Sequence, residues 1–393
     1  MALSTNALAI TGYDDPYRWN KAAPVGTPVV VTYAFSSSQQ SYDTGNRPGF
    51  TAMSEAHQAY VTQALGKWAA ASGIAFVQVP ESAGGQIRFA MFDMAAAGQT
   101  NSVGNPLSGF GYYPQSVTTI VNGASTVSTY FNAIGGDVYL NSVTFADASS
   151  LAPGQRGYSI TLHEIGHAIG FKHPFEGSPS VQDSLALGTL TVMSYERSRS
   201  TTELGSVDVE AVQHYYGSAN YATEWDPTTL TLRQTGTDGG EWILGTELGD
   251  VIFGQRGGDT LRGELGNDDL RGGKGHDLII GGDGNDTIYS GLGFDTMTGG
   301  SGNDVFVVRG YDARFPLADL EPTITDFQDG IDRIGIEGVT GADIATILAT
   351  QQSLSGQIGV TITVAGTKPA TITVMGVSSL DSSDVFAADT LLA

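Results

Sequence analysis

The sequence predicts an α+β domain, a mixed sheet with helices, followed by a parallel β-roll and an all-β C-terminal region. Three observations carry this. A strand, a helix and two strands precede a segment with the pattern H-E-x-x-H, the order expected of a mixed sheet backed by helices. From 245 to 307 a nine-residue unit repeats without a slip in phase. Beyond it, 360–364 and 370–374 are rich in β-branched residues and read as strands.

At 393 residues the chain has material for two or three domains. Its 41 acidic against 18 basic residues, a formal charge of −23, disfavour nucleic acid or an anionic membrane as partner and suit hard cations. Cysteine is absent, which excludes a disulfide framework and a thiolate metal site. Residues 1–10 are mildly apolar with no Lys or Arg ahead of them, so no N-terminal signal peptide is expected. No run reaches the roughly 18 apolar residues of a membrane span, so no membrane insertion is expected.

Residues 1–20 read as a polar N-terminal extension. Asp14 or Asp15 could cap a metal and make it a pro-segment, against the plainer reading of a docking strap. Residues 29–35, β-branched and aromatic, form a buried strand. The stretch 51–73 places Ala56, Tyr60, Val61, Ala64, Leu65 and Trp68 at helical spacing, with Gly73 as the stop. His57 on that helix reads as a packing or surface residue. Strands follow at 74–79 and 87–92, then exposed loops over 95–134 and another strand at 136–141. Ser206 can cap a helix over 207–216, with Asp208 near its start to suit the helix dipole and Gly217 to end it.

The chemistry is concentrated in 161–174. On a helix, His163 and His167 lie one turn apart on one face, while Leu162, Ile165 and Ile169 face a core. Gly170 permits a left-handed helix end that swings His173 back towards the other two. Three neutral imidazoles suit one zinc ion and leave its fourth position open to water, the mark of a catalytic rather than a structural site. Glu164 is the natural base for that water, whose pKa zinc lowers from about 15.7 to about 7. H-E-x-x-H alone also occurs on ordinary surface helices. Gly170 and His173, with three of the six histidines inside eleven residues, favour the metal.

H-E-x-x-H-x-x-G-x-x-H followed by Pro174 resembles the zinc signature of the metzincins, and among them the serralysin group of secreted bacterial proteases. The resemblance implies a metzincin catalytic domain over 21–222 and hydrolysis of peptide bonds in extracellular proteins. It implies a methionine turn beneath the zinc, to which Thr191-Val192-Met193-Ser194-Tyr195 is similar. It also implies that Tyr195 is a switchable zinc ligand that leaves the metal to stabilise the transition state. Without the upstream motif, Met193 and Tyr195 would read as core filling. The strand at 136–141 looks like the family's edge strand, which would hold an extended peptide by strand addition; another core strand is the alternative. The helix over 207–216 resembles the closing helix of the domain, and 223–243 is then a linker.

In the array, 244–308, aspartate holds the sixth place as Asp250, Asp259, Asp268, Asp277, Asp286, Asp295 and Asp304. An apolar residue holds the eighth, as Ile252, Leu261, Leu270, Ile279, Ile288, Met297 and Phe306. This resembles the calcium-binding RTX nonapeptide of parallel β-rolls. Six glycine-rich residues can turn and offer carbonyls, and the last three form a short strand. Calcium takes six to eight oxygens, so aspartates eighteen residues apart, such as Asp268 with Asp286, share an ion, and several structural calcium ions are expected. Their binding is part of the folding free energy. Leu248 and Ser290 stand where glycine belongs, so the end sites are expected to be weaker. A flexible acidic linker would not keep this phase.

Residues 309–393, through 324–334, resemble the serralysin C-terminal domain with its secretion signal. The resemblance implies export by a type I secretion apparatus reading Asp384-Val385-Phe386, although seven residues follow Phe386. The expected partners are protein or peptide substrates and that apparatus, with a proteinaceous inhibitor as a further candidate, and the expected state is a monomer. The competing function is a calcium-dependent extracellular surface or matrix protein with a disused protease fold. It predicts loss of a ligand, the base or a methionine-turn residue, and none is lost.

Overall fold

The computed structural model describes residues 3–11, 17–114, 116–121, 124–131, 134–182, 187–195, 201–218, 221–309, 321–355, 359–364 and 370–388. They fall into two compact units, Met1–Asn220 and Tyr221–Ala393.

The first unit runs α1 (Thr5–Thr11), β1 (Val29–Phe35), α2 (Glu55–Ala71), β2 (Ile74–Gln78), β3 (Ile87–Phe92), β4 (Gly109–Gly111), β5 (Ser116–Val121), β6 (Ala124–Phe131), β7 (Val138–Asn141), α3 (Arg156–Ala168) and α4 (Ser206–Tyr216). Its sheet has the order β2-β1-β3-β7-β4, with β4 antiparallel to β7 and the other pairs parallel. Six of the seven residues of β1 are buried, as an inner parallel strand covered on both faces requires. Ser54 caps α2, which buries Val61, Ala64, Leu65 and Trp68. Trp68 and Tyr215 both stack on Phe171, at 5.5 and 5.4 Å, tying α2, α4 and the segment after α3 into one core. His57 is structural: its Nδ1 lies 2.6 Å from Ser54 Oγ and its Nε2 2.8 Å from the Phe145 carbonyl.

Two readings of this half need correction. The strand at 136–141 is not an edge, because β7 lies between β3 and β4. The outer strand is β4, inside the stretch expected to be loops, which also holds the β5–β6 hairpin. Gly-Phe-Gly has no periodicity from which a strand can be read. The extension is also not simply a polar lead-in. Its α1 buries Ala7, Ala9 and Ile10, Ser4 Oγ donates to Glu210 Oε2 at 2.6 Å, and Tyr215 OH donates to the Thr11 carbonyl at 2.6 Å. That is how a docking strap is held. Asp14 and Asp15 lie outside the described residues.

The second unit contains β8 (Ala222–Asp226), β9 (Thr231–Thr235), β10 (Trp242–Leu244), β11 (Gly249–Phe253), β12 (Thr260–Leu265), β13 (Asp269–Lys274), β14 (Leu278–Asp283), β15 (Thr287–Leu292), β16 (Thr296–Ser301), β17 (Val305–Arg309), β18 (Thr323–Ile324), β19 (Arg333–Glu337), α5 (Gly341–Leu348), β20 (Gln352–Ser353), β21 (Gly359–Val364), β22 (Ala370–Met375) and β23 (Val385–Ala388). Successive turns feed two facing eight-stranded sheets, β10-β12-β14-β16-β18-β22-β21-β20 and β23-β19-β17-β15-β13-β11-β9-β8. Residues eighteen apart are therefore neighbours, as in Leu261↔Ile279 and Leu270↔Ile288. The seven apolar residues of the eighth place are all fully buried. Each stabilises the roll by about 1.5–3 kcal/mol relative to an exposed side chain.

Here too the boundaries shift. The expected linker carries β8, β9 and β10, which begin both sheets, because Trp225 and Leu232 pair across a hairpin that the polar composition hides. The C-terminal region continues the same two sheets and is not wholly β, since α5 interrupts it. Val385 is buried in β23, paired with β19, so the segment resembling a secretion signal is part of a sheet in the folded chain; 389–393 lie outside the described residues.

Candidate metal centre, cleft and calcium roll

His163 and His167 project from α3, and Gly170 redirects the chain with φ +105°. A side chain there would also overlap the Tyr17 carbonyl, so only glycine fits. The buried end of α3 needs partners for its last carbonyls. Trp19 Nε1 donates to Ala168 O at 2.9 Å and Tyr216 OH to Ile169 O at 2.8 Å. His173 then returns, with its Nε2 3.1 Å from that of His163 and 3.2 Å from that of His167.

The tautomers follow from the partners. His163 Nδ1 lies 2.7 Å from the Val192 carbonyl and His167 Nδ1 2.7 Å from the Phe171 carbonyl. A carbonyl only accepts, so both Nδ1 atoms carry the proton and both Nε2 lone pairs face inward. His173 Nδ1 is 2.9 Å from Glu176 Oε2. Tetrahedral zinc spaces its nitrogen ligands about 3.3 Å apart, close to the two separations to His173, and carbonyl acceptors such as those behind His163 and His167 are what such ligands use. The residues fit the metal.

The floor is held from α4. Met193 is fully buried, and a side chain at Gly166 would overlap its sulfur. Asp208, also fully buried, accepts from Thr191 Oγ1 at 2.5 Å, from Val192 N at 2.9 Å and from Gly205 N at 2.8 Å. Its carboxylate thus fixes the backbone at Val192, the residue whose carbonyl orients His163. The sequence had marked Asp208 only as a dipole partner. The hydrogen-bonded N-cap of α4 is Gly205 rather than Ser206, because Asp208 reaches back to the Gly205 N–H.

A cleft of about 850 Å³ opens over this centre, lined by Gly109–Gly111, Tyr113, Arg156, Glu164, the three histidines, Glu176 and Tyr195. Glu164 is buried and faces it, whereas Tyr195 is 62% exposed with its ring centroid 4.5 Å from that of His173. Tyr113, which sequence reasoning missed, packs edge-on against His167 at 5.4 Å and carries Tyr17 stacked at 4.8 Å. Burial, followed by the Glu176 charge, pushes the Tyr113 phenol up, so it stays neutral. The two glycines of β4 let the strand lie on α3: a Cβ at Gly111 would stand 2.5 Å from the Glu164 carbonyl oxygen, and one at Gly109 3.1 Å from Glu164 Cγ. Ser108 O and Tyr112 N bond inward to β7, so by antiparallel alternation the peptide groups of Gly109 and Gly111 face outward.

In the roll, the aspartate ladder is regular. Asp268 Oδ1 accepts from Asp250 N at 2.7 Å, Asp286 Oδ1 from Asp268 N at 2.9 Å and Asp304 Oδ1 from Asp286 N at 2.9 Å. On the other edge, Asp277 and Asp295 do the same for Asp259 and Asp277. The second oxygens of Asp259, Asp268, Asp277, Asp286, Asp295 and Asp304 are buried without a hydrogen-bond partner. They stand in cradles with glycine and a carbonyl: a Cβ at Gly263 would meet both Asp268 Oδ2 and the Gly281 carbonyl. Orphaned carboxylate oxygens beside carbonyls fit calcium. Asp250 differs, since its Oδ2 accepts from Thr246 N at 2.6 Å and Thr246 Oγ1 at 3.2 Å. Asp332, which lies outside the nine-residue phase, extends the ladder by accepting from Asp304 N at 3.0 Å.

Residues 235–270, 244–279, 263–297 and 280–308 match the RTX calcium-binding nonapeptide repeat. A serralysin of Photorhabdus sp. (strain Az29) is 25% identical over 235 residues, 54% of this chain and 43% of the relative. Serralysin G of Dickeya chrysanthemi is 26% identical over 228 residues, covering 53% and 43%, and serralysin A of that organism 25% over 228 residues, covering 54% and 43%. The chain carries RTX repeats and is similar to serralysins over about half of its length. The matched stretch spans less than half the length of these relatives, and the repeats support calcium binding.

Proposed function

We propose that this protein is a secreted zinc-dependent endopeptidase with a metzincin catalytic domain, whose roll is stabilised by calcium. The observation that carries the reading is the convergence of three imidazoles, the His173 Nε2 standing 3.1 and 3.2 Å from those of His163 and His167, with the Nδ1 atoms of His163 and His167 held by backbone carbonyls. His163, His167 and His173 would hold zinc, and the ion when bound would supply Lewis-acid chemistry at the centre. The outward peptide groups of Gly109 and Gly111 pair with an extended substrate, antiparallel to β4, and present its carbonyl to the centre. Glu164 takes a proton from the attacking water and passes it to the leaving amine. Tyr195, exposed beside His173, swings to donate its phenol proton as a hydrogen bond to the developing oxyanion.

Protein or peptide substrates, export by a type I apparatus and an extracellular location belong to the same reading, supported by the repeats and the serralysin relatives. The test is Glu164→Gln in zinc- and calcium-loaded protein. Casein hydrolysis is expected to fall by at least a hundredfold while bound zinc is retained. Near-normal turnover would remove Glu164 from its role. An inert but fully loaded parent protein would favour a calcium-dependent surface or matrix protein.

A further inference from the structure

Among the described residues, the cleft is lined by one cation that the proposed chemistry does not use. Arg156 opens α3, is exposed and lines the cleft wall. Among the described residues no carboxylate lies within ion-pair distance of it, in a chain with 41 acidic residues. Its position is locally unfavourable. The first turn of α3 has no acidic residue and Gln155 makes no side-chain cap, so the guanidinium adds positive charge to an end that already carries the positive pole of the helix. Arg156 stands seven residues before His163, two turns along nearly the same face, which sets their backbones about 10 Å apart. An extended peptide covers that distance in about three residues.

The direction can be read from β4. Gly109 abuts the Glu164 side chain, whereas Gly111 abuts the Glu164 carbonyl and the His167 Cβ, so β4 runs alongside α3 in the same sense. A substrate antiparallel to β4 runs the other way, and its C-terminal half passes Arg156. The opposite end of the cleft, by His173, is lined by Glu176. We infer that Arg156 is a specificity-determining residue that selects substrates with an aspartate or glutamate two to three residues after the scissile bond. The inference rests on the endopeptidase reading.

The experiment uses the full chain, loaded with zinc and calcium, and matched peptides carrying Glu, Gln or Lys at the second and third positions after one cleavage site. At low salt, kcat/KM is expected to favour Glu over Lys by about three- to tenfold, the range of a partly exposed ion pair and its reversal. The preference should shrink towards unity at 0.5 M salt, vanish in Arg156→Gln and invert in Arg156→Glu. Binding of the same peptides with a reduced, non-cleavable bond is followed by fluorescence anisotropy. Cleavage with no preference at these positions, or a preference that survives Arg156→Gln, overturns the role of Arg156 and leaves the endopeptidase intact. Acid-selective binding without cleavage of any peptide overturns the endopeptidase and leaves Arg156 as a recognition residue.

Discussion

Replacing Asp208 with asparagine tests how the metal centre is held. The change keeps volume and shape but removes the charge from three hydrogen bonds, to Thr191 Oγ1, Val192 N and Gly205 N. The two backbone donors share Oδ2, so the amide must turn its carbonyl oxygen towards them and its NH2 towards Thr191. Thr191 Oγ1 already accepts from Met193 N at 3.0 Å and has to reorient. A charge-assisted bond is worth roughly 1.5–3 kcal/mol and a neutral one roughly 0.5–1.5, so losing about 1 kcal/mol on each of three bonds destabilises the unit by about 3 kcal/mol. The same loosening frees the Val192 carbonyl that orients His163, and loss of such outer support typically costs 10- to 100-fold in metal affinity. Urea unfolding in saturating calcium gives the first quantity and chelator competition the second. An Asp208→Asn protein with parental stability and parental zinc affinity would refute the reasoning.

Gly111→Ala should push β4 off Glu164 and lower peptide hydrolysis at least tenfold while zinc content and the melting of the roll stay as they were; a fully active variant would show that β4 is not seated as described. Asp286→Asn should lose bound calcium by titration calorimetry, whereas Asp250→Asn should keep the parental stoichiometry because Thr246 already occupies its oxygen; equal losses in both would contradict that distinction. Calcium should also bind against protons. Burial raises the carboxyls of Asp259, Asp295 and Asp304 to about 7, Asp286 to about 6 and Asp268 to about 9 in the calcium-free roll, from 3.8. The folded state then binds more protons than the unfolded chain, so the calcium-free roll loses stability as pH rises from about 4 through these values. Melting in chelator should be higher at pH 5 than at pH 8, the order should reverse in millimolar calcium, and an unchanged order would count against carboxylate ligation.

What could be read from the sequence divides along a physical line. His163, Glu164, His167 and His173 announce themselves because helical periodicity fixes their relative directions, and the aspartates of the array do so because one period of nine sets every turn. Position in a sheet is different. Gly109-Phe110-Gly111 becomes the outer strand only because β7 offers it hydrogen bonds and α3 leaves no room for a Cβ, neither of which is written locally. Asp208 likewise looks like a helix-start acid until the fold brings Thr191 and Val192 to it from 17 and 16 residues away. The bounds of the linker and of the C-terminal region are hidden from local sequence for the same reason: β8, β9 and β19 are defined by the strands that they pair with. These long-range contacts converge on one consequence. The imidazoles of His163 and His167 depend on carbonyls of Val192 and Phe171, those carbonyls on Asp208 and Gly170, and the α3 end on Trp19 from the N-terminal segment. On the zinc reading, metal affinity would depend on the whole core of this unit, and substitutions at residues that are not themselves ligands, Trp19→Phe among them, should weaken zinc binding before they unfold the chain.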